Sequence, residues 1–264
     1  MCVEGTPIED HRERFGMWVK REDLCCPPGP HFAKTRGVFA HIFKRSETVI
    51  GCLDTAHSQG GWATAQACAL LGKQSVIFHP LFKDGRPPSR SQVEGEKLGA
   101  RLMGLKAGRS AVLYHQCRTA MAGRGYMMPN ALKLDETVDE TAAEFARTPI
   151  PKDVRGIVVP ASSGTIAAGV FRGMREAGLD LPLWVHLGYE RPLKATMTYI
   201  EAKAGFSGEG RLTVVDEGYA YKDEARAGAT PPFPCNGFYD LKAFRWVQAI
   251  LRNMAEPVLF WNIG

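Results

Sequence analysis

The sequence predicts an α/β fold with mainly parallel strands, and three observations lead there. Short apolar runs alternate with longer amphipathic stretches, the pattern of strands joined by crossover helices. Gly and Pro collect in the gaps, where the chain must turn. No internal repeat or low-complexity tract interrupts the alternation. In chain order, strands are expected at 17–20, 48–53, 75–79, 101–105, 156–160, 183–187, 212–215 and 258–261, each short and apolar. Helices are expected at 35–44, 61–71, 92–98, 111–122, 137–146, 165–177, 192–204 and 241–254. Residues 37–130 read as a compact β-α-β-α unit. The Pro- and Gly-rich stretch 217–238 reads as a long loop, and loops of that length more often wall or cover a site than connect elements idly.

Bulk properties narrow the classes. The chain has 264 residues, enough for one large domain or two small ones. No apolar run approaches the roughly 20 residues of a membrane span. The N-terminal residues lack a basic stretch followed by an apolar core, so a cytoplasmic protein is expected. Seven cysteines form no C-x-x-C pair, which suits reduced structural thiols and no metal site. The net charge of +5 is modest and reads as a solvated surface with at most a weak preference for anions.

Three segments carry chemistry. Lys34 stands at a helix start behind Val19-Lys20-Arg21-Glu22-Asp23-Leu24. A lysine that attacks an aldehyde must lose its proton, and burial near other cations lowers its pKa. Ser58-Gln59-Gly60-Gly61 opens an alanine-rich helix. Its free N–H groups and the Ser58 hydroxyl suit a carboxylate, although a simple N-cap and tight turn would look the same. Ala161-Ser162-Ser163-Gly164-Thr165 lies between an apolar strand and a helix. Its hydroxyls and successive N–H groups suit a phosphate held as an anchor, with no lysine or arginine of its own.

The order of these segments resembles the tryptophan-synthase-β-like, fold type II pyridoxal-phosphate enzymes. Within them it is most similar to the aminocyclopropane-carboxylate deaminase and D-cysteine desulfhydrase branch. Further matches are Thr6-Pro7, Tyr239-Asp240-Leu241-Lys242 and the terminal Leu259 to Gly264. The resemblance implies a two-domain, three-layer αβα fold, shortened relative to the family. Residues 1–36 and 131–264 would form a larger cofactor-anchoring domain and 37–130 a smaller substrate-side domain. It implies pyridoxal 5'-phosphate held as a Schiff base on Lys34, with Lys20 as the structural lysine. Ser162, Ser163, Gly164 and Thr165 would take the phosphate, and Gln59, in place of the family's Asn, the phenolic oxygen. Ser58, Gln59 and Gly60 would take the substrate carboxylate, with Tyr189 and Tyr239 beside it. Asp240 would face the pyridine nitrogen, unless it serves as the cap of the last helix. Ile263 falls where the family has a threonine, so either Asn262 substitutes or Asp240 acts alone.

The implied function is a lyase or deaminase working through a carbanion, with Lys34, Tyr239 and Asp240 as catalytic residues. An alternative is a decarboxylase or lyase of an unusual amino acid, including one attached to a nucleotide base. A non-catalytic homologue is the second alternative. A homodimer is expected, and no membrane partner. A nucleic-acid-binding module without cofactor would need a basic stripe with stacking aromatics, which the linear sequence does not display.

Overall fold

The structure is a computed structural model and describes residues 2–55, 57–81, 85, 87–106, 108–208, 210–251 and 257–264. The alternation of the sequence becomes two sheets with helices packed on them. β1 (Ile8–His11) and α1 (Arg12–Phe15) lead into β2 (Met17–Arg21) and α2 (Thr35–Phe43). Then come β3 (Val49–Leu53), α3 (Gly60–Leu70), β4 (Gln74–Leu81), α4 (Arg90–Lys97), β5 (Arg101–Lys106), α5 (Ser110–Met121) and β6 (Tyr126–Met127). The rest are α6 (Asp135–Arg147), β7 (Ile157–Ala161), α7 (Thr165–Glu176), β8 (Leu183–Leu187), α8 (Leu193–Ala204), β9 (Leu212–Val215), α9 (Asp240–Leu251) and β10 (Val258–Asn262).

Each expected strand and helix has a counterpart here. The elements not foreseen are β1, α1 and β6, which are too short or too polar to show a periodicity. The expected last turn of α9, to 254, lies outside the described residues. The larger sheet has the order β1-β2-β10-β7-β8-β9 and is parallel except for β1 against β2. The smaller sheet, β5-β4-β3-β6, is parallel throughout. Central strands of the larger sheet are buried on both faces, so β7 and β10 are fully buried and read as continuous apolar runs. Val159, Leu187, Leu259 and Trp261 pack under α6 and α7, and Phe244, Val247 and Phe260 fill the opposite face. The smaller sheet is sealed by Val38, Ile42, Ile50 and Ala63.

Beneath α2 lies a buried ionic cluster. Lys20 Nζ donates to Glu144 Oε1 at 2.6 Å, and both side chains are fully buried. Glu144 also accepts from the backbone N–H of Gly5 and Thr6. Arg36 binds Glu22 through Nε and Nη2, each at 3.1 Å, and lies 3.5 Å from Glu144. Burial alone would raise the Glu144 carboxyl, but Lys20, the Gly5 N–H and Arg36 outweigh it and hold it below its ordinary value. Removing the shared acceptor would leave two buried cations short of a partner. Glu144→Gln should therefore cost about 3–5 kcal/mol in urea denaturation. A loss under about 1 kcal/mol would show that the cluster is not what fixes α2.

Candidate active site

The C-terminal ends of both sheets converge on one cavity of about 480 Å³. Ligands of open α/β sheets bind at this edge, where loops leave the strands and helix N-termini point inward. Leu53 and Pro80 contribute from the smaller sheet, and Pro160, Ala161, Ile263 and Gly264 from the larger.

Lys34 sits at the start of α2 with its amine in the cavity. Nζ donates to the Ala131 carbonyl at 2.8 Å and to Ser163 Oγ at 2.9 Å. Burial, then the nearby Lys133 and Arg191, lower its pKa from 10.5 to about 7. An amine so placed is substantially neutral at ordinary pH, as a nucleophile requires. Lys20 lies outside the cavity lining, held by Glu144 and the Thr6 carbonyl.

Ser162, Ser163, Gly164 and Thr165 line the cavity together. Gly164 adopts a left-handed conformation, φ 84°, that lets the chain turn from β7 into α7. Ser163 Oγ and Thr165 Oγ1 are 2.9 Å apart, and Tyr199 OH meets Thr165 Oγ1 at 3.0 Å. Arg191 reaches the Ser162 carbonyl, and the Lys133 ammonium sits 4.9 Å from the Tyr199 ring. The loop itself is neutral, as its sequence suggested, but two cations flank it.

Ser58, Gln59 and Gly60 line the opposite wall at the start of α3. Ser58 Oγ accepts from Gly60 N at 3.0 Å, and Gln59 Nε2 donates to the His31 carbonyl at 2.7 Å. Beneath this turn lies Asp54, fully buried. One of its oxygens accepts from Gly61 N at 3.1 Å and the other has no partner. Burial raises its pKa to about 7 against several hydrogen bonds that lower it.

Tyr189 and Tyr239 also line the cavity. Tyr239 packs so closely on Gly188 that any side chain there would meet its ring. Burial, then Tyr221 and Tyr189, push its phenol well above the ordinary value, so it stays protonated. Asp240 stands one residue behind this wall and is fully buried. Its Oδ1 accepts from Ile263 N at 2.8 Å and Gly264 N at 3.3 Å, which ties α9 to the end of β10, and Oδ2 has no partner. Burial raises this carboxyl to about 7 as well. Asn262 is not brought to the cavity. Alternation along β10 turns it away from Ile263, and its amide donates to Asp23 Oδ1 and the Pro234 carbonyl, both at 2.9 Å.

The linear sequence did not single out Asp54, Ala131, Tyr221 or Asn236, and it marked Thr55 and His57 only as part of the turn before α3. Tyr221 OH donates to Thr55 Oγ1 at 2.9 Å, joining the long loop to the smaller sheet. His57 stacks on Phe238 at 3.6 Å, and Tyr189 meets Tyr221 edge-on at 5.1 Å. Ala131 has φ 57°, unusual for a residue with a side chain, and its carbonyl is the one that holds Lys34.

These residues fit pyridoxal phosphate. A lysine with a lowered pKa stands within hydrogen-bond reach of the Ser163 loop, and a buried carboxyl oxygen of Asp240 has no partner behind the cavity wall. No protein-family model matches the chain. The protein is 49% identical over 278 residues to "Glycyl-dTMP PLP-dependent decarboxylase" of Pseudomonas phage M6, a match covering 100% of both chains. A crystal structure of an ACC deaminase homologue superposes with TM-score 0.79 at 18% identity, covering 100% of this chain and 91% of that one. Threonine deaminase isoform 2 from Solanum lycopersicum, in its processed form, gives TM-score 0.72 at 12% identity, covering 100% and 84%. At these identities the two structures speak for the fold alone.

The three shifted groups make stability depend on pH in a definite way. Asp54 and Asp240 titrate near 3.8 when unfolded and at about 7 when folded. Between those values the folded chain holds more protons, so their contribution falls as pH rises. Lys34 titrates at 10.5 unfolded and at about 7 folded, so its contribution rises across that interval. Cofactor-free protein should therefore be least stable near neutrality. Urea midpoints followed across pH should lose part of the falling limb in Asp54→Asn or Asp240→Asn, and part of the rising limb in Lys34→Met. Limbs unchanged by these substitutions would contradict the burial assigned to the groups.

Proposed function

The chain belongs to the fold type II pyridoxal-phosphate-dependent enzymes, and from that premise we propose that it decarboxylates an amino acid carried on a pyrimidine nucleotide. One observation carries this reading: the full-length 49% identity to a protein named for glycyl-dTMP. The geometry supports it, because the rings of His57, Tyr189, Tyr221 and Tyr239 line the cavity, a larger flat surface than a small free amino acid calls for. Of the two enzyme readings that the sequence raised, this is the alternative rather than the deaminase.

When bound, the cofactor supplies an aldehyde for the substrate amine and a pyridine ring that accepts the electron pair released with CO2. The substrate must then present a free amine and a free carboxylate on one carbon, so the pyrimidine hangs from that α-carbon. Lys34 would hold the cofactor through its buried amine. Ser162, Ser163, Gly164 and Thr165 would hold the phosphate, and Asp240 Oδ2 the proton of the ring nitrogen. Ser58 and the start of α3 orient the carboxylate before its bond breaks. One proton must then return to the α-carbon, so the amino acid and a proton yield a primary amine and CO2. Lys34, with a pKa of about 7, can carry that proton, and the neutral Tyr239 phenol is a second donor.

Borohydride reduction followed by mass spectrometry should place the cofactor on Lys34, and Lys34→Ala should abolish the cofactor's visible band without unfolding the chain. Purified enzyme given a glycyl-substituted deoxythymidine nucleotide should release CO2 and leave a primary amine. Release of ammonia and an oxo acid would return the assignment to a deaminase. Thr165→Val should weaken cofactor binding by about 1.5–3 kcal/mol, since the lost hydroxyl would serve a charged acceptor. Unchanged affinity would give the loop another task.

A further inference from the structure

Residues 98–134 contain no aspartate or glutamate. The whole chain has 28 acidic residues in 264, so a stretch of this length would ordinarily hold about four. It holds Arg101, Lys106, Arg109, Arg118, Arg124 and Lys133, all exposed. Among the described residues none of these six enters an ion pair. In sequence these cations look scattered. Arg118 lies on α5, and the fold sorts the other five to the two ends of the smaller sheet. Arg101 begins β5, and Arg124 lies just before β6, both at the far end of the strands. Lys106 ends β5 at the cavity edge. Arg109 stands between Gly108 and Ser110, and Lys133 follows Asn130, Ala131 and Leu132; all five of these neighbours line the cavity.

Two more features lie along the same edge. The rings of Tyr189, Tyr221 and His57 line the cavity, and Phe238 stacks on His57 from the neighbouring groove. Beyond the Ser58-Gln59 turn a second groove of about 360 Å³ opens, lined by Trp62, Arg90 and Phe238 and sharing His57, Ser58 and Gln59 with the main cavity. The Arg90 guanidinium lies 5.5 Å from the Trp62 ring. A basic lip, a ring-lined pocket and an opening on each side of the turn are what a polymer needs when one of its bases is to be treated. A free nucleotide needs only the pocket.

We propose that Lys106 and Arg109, on the lip of the cavity, seat backbone phosphates of a DNA strand whose modified pyrimidine enters the site. This rests on the nucleotide reading above. The strand lies along the cavity edge of the smaller sheet, its modified base turned out of the stack and held against the rings. Phosphate contacts release counterions, so binding weakens with salt by roughly 0.7 in log–log slope for each contact on a single strand.

The experiment uses the cofactor-loaded enzyme and a fluorescein-labelled thymidine-rich oligodeoxynucleotide. Anisotropy is followed from about 50 to about 200 mM salt. Lys106→Gln/Arg109→Gln should weaken binding and reduce the slope by about 1.4, while its cofactor spectrum stays that of the unaltered enzyme. Arg101→Gln/Arg124→Gln, which removes the same charge at the far edge, should leave the slope unchanged. Equal loss in both pairs would mean a general field rather than a seat. Failure of the unaltered enzyme to bind the strand, equal binding of an RNA of the same sequence, or equal turnover of free and strand-borne nucleotide would each overturn the proposal and leave the decarboxylase reading standing. Binding as expected with no CO2 from any nucleotide-borne amino acid would do the reverse.

Discussion

Glu144 governs the site from outside it. Its two oxygens gather Lys20 from β2, the N–H groups of Gly5 and Thr6, and the edge of Arg36 from α2. Arg36 is two residues beyond Lys34, so the cluster that closes the first layer of the fold also fixes the first turn of the helix bearing the amine. Apolar residues of similar volume could fill that space at little or no loss of stability. What they would lack is direction. An ionic cluster with one carboxylate shared among several donors accepts one register of β2, α2 and α6, and a Schiff-base lysine needs its backbone held within a fraction of an ångström.

Around that fixed point the cavity stores unfavourable electrostatics. A cation, Lys34, and two carboxyls, Asp54 and Asp240, are buried with their charged forms disfavoured, and each carboxyl keeps one oxygen without a partner. Lys133 and Arg191 flank a phosphate loop that has no negative charge of its own. Such arrangements lower the stability of the empty protein and mark a site whose ligand completes it. On the reading proposed above, a phosphate, a ring nitrogen and a substrate carboxylate would answer these groups by charge.

Much of this was legible in the chain, and the limits are physical. Strong periodicity made the buried strands readable, since β7 and β10 must be apolar on both faces. Lys34, Ser58 and the Ser162 to Thr165 loop, marked in sequence as helix starts, are brought to one cavity. Asn262 was misplaced because a one-residue step along a strand reverses the face, and sequence gives no sign of which face meets the cavity. Asp54 was invisible because a lone aspartate at a strand end looks like turn chemistry until its burial is known. Tyr221 and Asn236 lay in a loop marked as a possible site wall, but no periodic pattern says which loop side chains point inward. The dense basic stretch from Arg101 to Arg109 was visible in sequence, but not that its second half lies beside cavity-lining residues.

The division of labour between sheet edges and loop bears on substrate choice. Lys34, the Ser58 turn and the Ser162 to Thr165 loop all stand at helix starts, which rigid elements hold in place. The 216–239 segment, by contrast, carries Tyr221, Asn236 and Phe238 and reaches across the cavity to bond Thr55 on the other sheet. Under the proposed reading its rings would face the group on the α-carbon, since flat apolar faces with hydroxyl edges suit a pyrimidine better than an aliphatic chain. Loops on a rigid frame are where specificity is set while the chemistry beneath is kept. In this chain the elements common to the fold sit at the strand ends, and what distinguishes its cavity is carried by the loop.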